Sequence, residues 1–156
     1  KLLKPKYSHI EFNIVGNIDL SNNTYVDQSI INDLIDKKFI NFHNFQENSI
    51  KFINESDCIV LPSYREGLSR SLLEAASIGR PIITNDVPGC NELVKNNFNG
   101  FLCKPRDVND LYDNIIKFIN LNYDQKTKFG LNSRKIAKNY DEKIVIKRYL
   151  EVIDER

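Results

Sequence analysis

Apolar positions follow two rhythms along this chain. Short apolar runs predict strands over residues 9–15, 39–43, 58–61, 81–84 and 100–103. Longer stretches with apolar residues three and four apart predict helices; Val26, Ile30, Ile31, Leu34 and Ile35 share one face of a helix over 24–38. Further helices are expected over 48–54, 72–78, 108–121, 126–138 and 142–153, with a short one from the Val87-Pro88-Gly89 turn through Leu93. Gly16, Asn17 and Asp19 close the first strand. Gly79, with Pro81 two residues on, stops the 72–78 helix as a left-handed C-terminal residue does.

Short strands alternating with helices are the pattern of a parallel sheet covered on both faces. The expected class is α/β: a Rossmann-like, doubly wound parallel sheet with a helical C-terminal tail. Ligands of such folds sit beyond the carboxyl ends of the strands. The loops that matter therefore follow Val15, His43, Leu61 and Thr84.

Composition narrows the classes of function. At 156 residues the chain matches one domain, able to bury about two-thirds of its unfolded surface. Lys and Arg number 22 against 21 Asp and Glu, a net charge of +1. No basic field marks a nucleic-acid partner, and no acidic excess marks disorder. No apolar run is long enough to span a bilayer. Cys58, Cys90 and Cys103 fit neither a disulfide framework nor the Cys-x-x-Cys spacing of zinc sites, so a reduced, cytoplasmic setting is expected. His9 and His43 are the two histidines, and no carboxylate cluster completes a metal set with them. A plain strand-terminal role is expected for His43. No Asp-x-Asp occurs, Gly16-Asn17-Ile18-Asp19 is not the dinucleotide fingerprint, and no Walker-type phosphate loop is present. The chain opens at Lys1 and contains no methionine, which suggests a piece of a longer polypeptide.

The loop after Leu61 is the most informative. Gly67 lets the backbone pass close to a ligand. The amides of Leu68, Ser69 and Arg70 are expected to point out of a helix start, where backbone donors and the helix dipole favour an anion. Glu66 in the loop and Glu74 a turn into the helix flank this position, with backbones on the order of 10 Å apart. That span suits a diphosphate with a polyhydroxyl group at each end, as in a nucleotide sugar, and carboxylates accept strongly from paired hydroxyls. The same spacing also fits local structure: Ser71-x-x-Glu74 matches a capping box, and Ser63-x-x-Glu66 a turn.

Taken in order, the runs Pro62-Ser-Tyr-Arg-Glu-Gly67, Glu74-Ala-Ala76, Gly79-Arg-Pro81, Asn85-Asp-Val-Pro-Gly-Cys-Asn-Glu-Leu-Val94 and Asn99-Gly-Phe-Leu102 resemble the donor-binding half of retaining glycosyltransferases of family 4. These have the GT-B fold, and two glutamates separated by seven residues are their signature. The similarity runs from Glu11 to the last helix, where Tyr149 resembles an aromatic position of the family's closing helix. The resemblance implies that Glu66 contacts the transferred sugar as the catalytic glutamate. It implies that Glu74 holds the donor ribose, and that the amides of Gly67, Leu68, Ser69 and Arg70 hold the phosphates. Phe45 and Gln46 would lie near the base, through backbone contacts, and Gly16 in a loop facing the cleft. The wording around Asp86 is most similar to bacterial enzymes that build surface polysaccharides, capsule among them, or lipid-linked oligosaccharides from UDP-sugars.

Two departures bear on activity. The family's Arg and Lys that neutralise the diphosphate, and its acceptor-binding N-terminal domain, fall before the helix whose tail would be Leu2-Leu3-Lys4. Asn44 stands where a glycine is usual. Residues 1–156 are therefore expected to form a nucleotide-sugar-binding domain, a hexosyltransferase fragment inactive alone. It would use a UDP-linked donor and no metal. A glycan or lipid-linked acceptor would be engaged through the missing domain, and peripheral membrane contact would be made at the inner face of the membrane. The alternative is a non-catalytic Rossmann-like domain that binds a nucleotide or a partner; an epimerase or phosphorylase on the same two-domain fold is a third reading.

Overall fold

Parallel strands form at the apolar runs, but in two sheets rather than one. The computed structural model describes residues 2–18 and 25–154. Residues 1–49 and 50–156 make two compact units.

In the first unit, β1 (Asn13–Val15) pairs in parallel with β2 (Asn41–His43), joined through α1 (Gln28–Asp36). Asn13 stands opposite Asn41 and Val15 opposite His43. The expected strand over 9–15 shortens because β2 offers only these partners. The first helix begins later than expected, and Asp27 sets its start. The Asp27 carboxylate accepts the Ser29 amide at 2.7 Å and the Ser29 hydroxyl; these bonds hold it below the usual carboxylate range. Asp19 and Thr24, expected at a turn and at that helix start, lie outside the described residues.

The second unit runs α2 (Ile50–Glu55), β3 (Ile59–Leu61), α3 (Arg70–Ile78), β4 (Ile82–Asn85), β5 (Gly100–Cys103), α4 (Val108–Ile119), α5 (Tyr123–Ala137), a 3-10 turn at Lys138–Tyr140, and α6 (Glu142–Asp154). Its sheet is parallel in the order β3-β4-β5. Every residue of β4 is buried. Ile82 packs into a cluster with Leu72, Ala75, Ala76 and Ile136, and Ile83 into one with Phe101, Cys103 and Phe118. The sheet is thus covered on both faces. Each fully buried Leu or Ile contributes roughly 1.5–3 kcal/mol, so β4 and α3 anchor this unit.

Gly79 ends α3 in the left-handed conformation (φ 89°, ψ 36°), its N–H donating to the carbonyls of Ala75 and Ala76. On α5, Gly130 lies against the same corner: a Cβ built there would stand 2.3 Å from the Gly79 carbonyl oxygen. α5 itself starts three residues earlier than its apolar pattern suggests. Asn122 and Gln125 form a reciprocal capping box that extends it to Tyr123. The short helix expected through Leu93 does not form. Cys90 bonds back to Val87 and Leu93 to Cys90 as successive tight turns, and the positive φ of Gly89 (83°) interrupts helical winding.

No described helix is long and apolar enough to cross a membrane. All three thiols are pushed above their ordinary pKa, chiefly by burial. Thiol alkylation of the native chain at neutral pH should therefore be slow at Cys58, Cys90 and Cys103, and complete once the chain is denatured. Rapid labelling of the folded chain would show that these packing clusters open.

Candidate functional site

β3 ends at Leu61, and the chain crosses residues 62–69 before α3 begins at Arg70. Ser69 occupies the N-cap position with extended backbone, yet its side chain makes no cap bond. Its hydroxyl instead lies 3.3 Å from the Ser71 hydroxyl. Ser69 thus gives the first-turn amides of α3, at the positive end of the helix dipole, no cap from its own side chain. Ser71 already lies inside the first turn, so it cannot form the capping box with Glu74 that the spacing allows. Glu74 accepts instead from Arg70 Nε at 3.2 Å, one turn back on the exposed side of the helix.

One expected donor is occupied. The Ser69 amide donates to the Gly89 carbonyl at 3.0 Å and does not point outward. The cause is close packing of the turn after β4 on this loop. A Cβ on Gly89 would stand 1.7 Å from the Gly67 carbonyl oxygen and 2.6 Å from that of Glu66. Gly89 in turn gives its own N–H to Glu92 Oε2 at 2.6 Å.

Glu66 is half-buried at the outer edge of this loop. Its Oε1 accepts from the Ser63 hydroxyl at 2.8 Å, so the local turn that the spacing allows does form. The buried Asn85 amide holds the Ser63 carbonyl at 2.9 Å. Thr84, also buried, donates to the Leu61 carbonyl at 2.7 Å. The end of β4 therefore ties down the loop that follows β3. Gly67 and Leu68 remain exposed. On the far side, the Arg106 guanidinium stacks 5.5 Å from the centre of the Tyr64 ring.

Sequence reasoning singled out Glu66, Gly67, Leu68, Ser69, Arg70 and Glu74; the first four lie in the loop after β3, and Arg70 and Glu74 lie in α3. It placed Asn85, Gly89 and Glu92 in a run that resembles the family, without assigning them the contacts that support this loop. The Pro88-Gly89 pair was visible as a turn, but nothing in a linear pattern says what the turn rests on.

In the first unit, Gly16 follows β1 and donates its N–H to the His43 carbonyl at 3.0 Å. Phe45 follows β2 with its side chain exposed, its N–H already donated to Asn17 Oδ1 at 2.9 Å. Gln46 turns its side-chain amide onto the Asn44 carbonyl at 3.0 Å. His43 meets Asn13 Oδ1 at 3.0 Å across the strand pair. Tyr149 on α6 lines a cavity of about 340 Å³ in the second unit, with Tyr140, Arg148, Lys95 and Glu92.

Residues 1–136 match the family model described as glycosyl transferases group 1. The chain belongs to that family. It is 32% identical over 117 residues to the N,N'-diacetylbacillosaminyl-diphospho-undecaprenol alpha-1,3-N-acetylgalactosaminyltransferase of Campylobacter jejuni, covering 74% of this chain and 30% of that protein. It is 33% identical over 106 residues to the UDP-Gal:alpha-D-GlcNAc-diphosphoundecaprenol alpha-1,3-galactosyltransferase of Escherichia coli, covering 68% of this chain and 27% of that protein. This group 1 chain thus spans less than a third of the length of these relatives. Among solved structures, Anabaena HepE in complex with UDP superimposes with a TM-score of 0.81 at 20% identity, over 94% of this chain and 41% of HepE. That likeness gives the fold: the α/β, Rossmann-like architecture of GT-B glycosyltransferases, parallel sheets with helices and a helical C-terminal tail.

Proposed function

We propose that this group 1 chain is the nucleotide-sugar-binding part of a retaining hexosyltransferase of family 4 that uses a UDP-linked donor. The observation that carries this reading is an uncapped helix start with a carboxylate on either side, Glu66 and Glu74, in a chain of this family. In this reading the first-turn amides of α3, with those of Gly67 and Leu68, take the diphosphate. Glu74 accepts the ribose hydroxyls, and Glu66 faces the transferred sugar as the catalytic glutamate. Arg70 is placed to turn its guanidinium from Glu74 toward phosphate. In the first unit, Gly16 offers open backbone, since a Cβ there would meet nothing within 4 Å. The Phe45 amide is engaged, which leaves its carbonyl and the Gln46 backbone to read a base.

The relatives named above act on diphospho-undecaprenol-linked sugars. By analogy the acceptor here is a glycan or a lipid-linked sugar. It is engaged by a further domain on the cytoplasmic face of the membrane, in surface-polysaccharide assembly. The reading assigns no metal. As bond cleavage leaves negative charge on the diphosphate, the helix start stabilises it electrostatically.

Titrating the 156-residue chain with UDP and with UDP-sugars, followed by amide NMR, tests this. UDP is expected to bind near 1 mM, about −4 kcal/mol, with shifts at residues 67–74. Glu66→Ala should leave UDP affinity unchanged and remove the advantage of the preferred UDP-sugar over UDP. An equal loss for both ligands would assign Glu66 to its turn with Ser63 and end its catalytic role.

A further inference from the structure

We infer that Glu92 is a positioning residue for the anion-binding start of α3, acting through the turn at Gly89. The inference rests on the nucleotide-site reading for its functional consequence, but on geometry for the contact itself. Gly89 is held in three ways. Its N–H donates to Glu92 Oε2 at 2.6 Å. Its carbonyl accepts the Ser69 amide at 3.0 Å. Its Cα face lies so close to the Gly67 carbonyl that a Cβ there would stand 1.7 Å from that oxygen. Of these, only the bond to Glu92 involves a side chain.

A bond of this length holds the Pro88–Gly89 peptide, the one that carries the Gly89 N–H. The Gly89 carbonyl belongs to the next peptide, whose Cys90 N–H donates to the Val87 carbonyl at 3.1 Å. With both peptides held, Gly89 keeps its φ of 83° and its carbonyl stays aimed at the Ser69 amide. With Ser69 turned inward, the helix start presents the amides beyond it. Without the Glu92 bond, the Pro88–Gly89 peptide loses one of the two bonds that fix the backbone at Gly89, and glycine tolerates many backbone angles. The Ser69 amide then loses its acceptor and the loop shifts. Glu92 itself is steadied from the other side, where the Tyr140 hydroxyl donates to its carbonyl at 3.4 Å.

The role needs an acceptor oxygen at the end of a side chain of this length, and not a charge. This separates it from an electrostatic effect, since a negative charge near an anion site would weaken binding. Glutamine keeps the length and the acceptor; aspartate keeps the charge and loses the reach.

The test uses the isotope-labelled 156-residue chain and UDP as the probe. In Glu92→Ala the Ser69 and Gly89 amide resonances should move toward values of weakly bonded amides, and UDP affinity should fall roughly 3- to 10-fold. Glu92→Gln should restore both, and Glu92→Asp should behave as the alanine variant does. If the alanine variant fails to fold, the comparison of Gln with Asp decides the question. An unmoved Ser69 resonance, or a loss of melting temperature with UDP affinity intact, would overturn the inference. Failure of the unmodified chain to bind UDP would instead overturn the nucleotide-site reading, with the Ser69 resonance still deciding the contact.

Discussion

Replacing Glu74 with alanine should lower UDP affinity roughly 10- to 100-fold and leave the melting temperature nearly unchanged. The expected loss is that of hydrogen bonds to a charged acceptor, about 1.5–3 kcal/mol. The stability forecast follows from the helix start. Ser69 is the N-cap residue and Ser71 is already helical, so Glu74 closes no capping box whose loss would fray α3. Its ion pair with Arg70 is an i, i+4 contact whose cationic side chain is 91% exposed, and such pairs are worth only about 0.3–0.5 kcal/mol. The experiment is a UDP titration beside a thermal melt of the same variant. Unchanged affinity with a lower melting temperature would make Glu74 a structural residue and remove it from the site.

The second large effect is expected at Gly89. Alanine there must hold a left-handed backbone, which costs about 1–2 kcal/mol, and its Cβ would stand 1.7 Å from the Gly67 carbonyl oxygen. A backbone oxygen cannot move aside as a flexible side chain can. The turn and the loop should separate, breaking the Ser69-to-Gly89 bond. Gly89→Ala should melt roughly 10 °C lower and show no amide shifts with millimolar UDP. Pro88→Ala, at the exposed neighbouring position, serves as the control and should change neither. A Gly89→Ala chain as stable as its parent and still binding UDP would contradict the described packing.

Both predictions depend on contacts that differ in how visible they are from sequence. The strand at 58–61, the helix from about 72 and its stop at Gly79 are local patterns of apolar spacing and turn residues, so they could be read directly. Glu66 and Glu74 could be found because a helix start, a glycine and two carboxylates fall within one short segment. The Ser69 amide was assigned outward because the helix start was judged alone; its acceptor lies twenty residues away on another turn. Asn85 was unreadable for the same reason, since it reaches the Ser63 carbonyl only once β3 and β4 pair in register. Helix ends set by side-chain caps, at Asp27 and Asn122, moved by several residues because a cap outweighs the apolar period at a terminus. The division into two sheets left no trace in the pattern, as each strand reads alike whichever neighbour it finds.

The contact between Gly79 and Gly130 has a bearing on how this domain can diverge. It clamps the far end of α3 against α5, while the near end is held by the buried Leu72 and by the backbone bond from Ser69 to Gly89. A helix of nine residues held in this way behaves as a lever roughly 13 Å long. A side chain gained at position 130 has to be absorbed by tilting it. A tilt of about 5° over that length displaces the first turn by about 1 Å, which is enough to take amide donors out of hydrogen-bonding range. On the nucleotide-site reading, a substitution at position 130 would then alter UDP affinity without approaching the ligand.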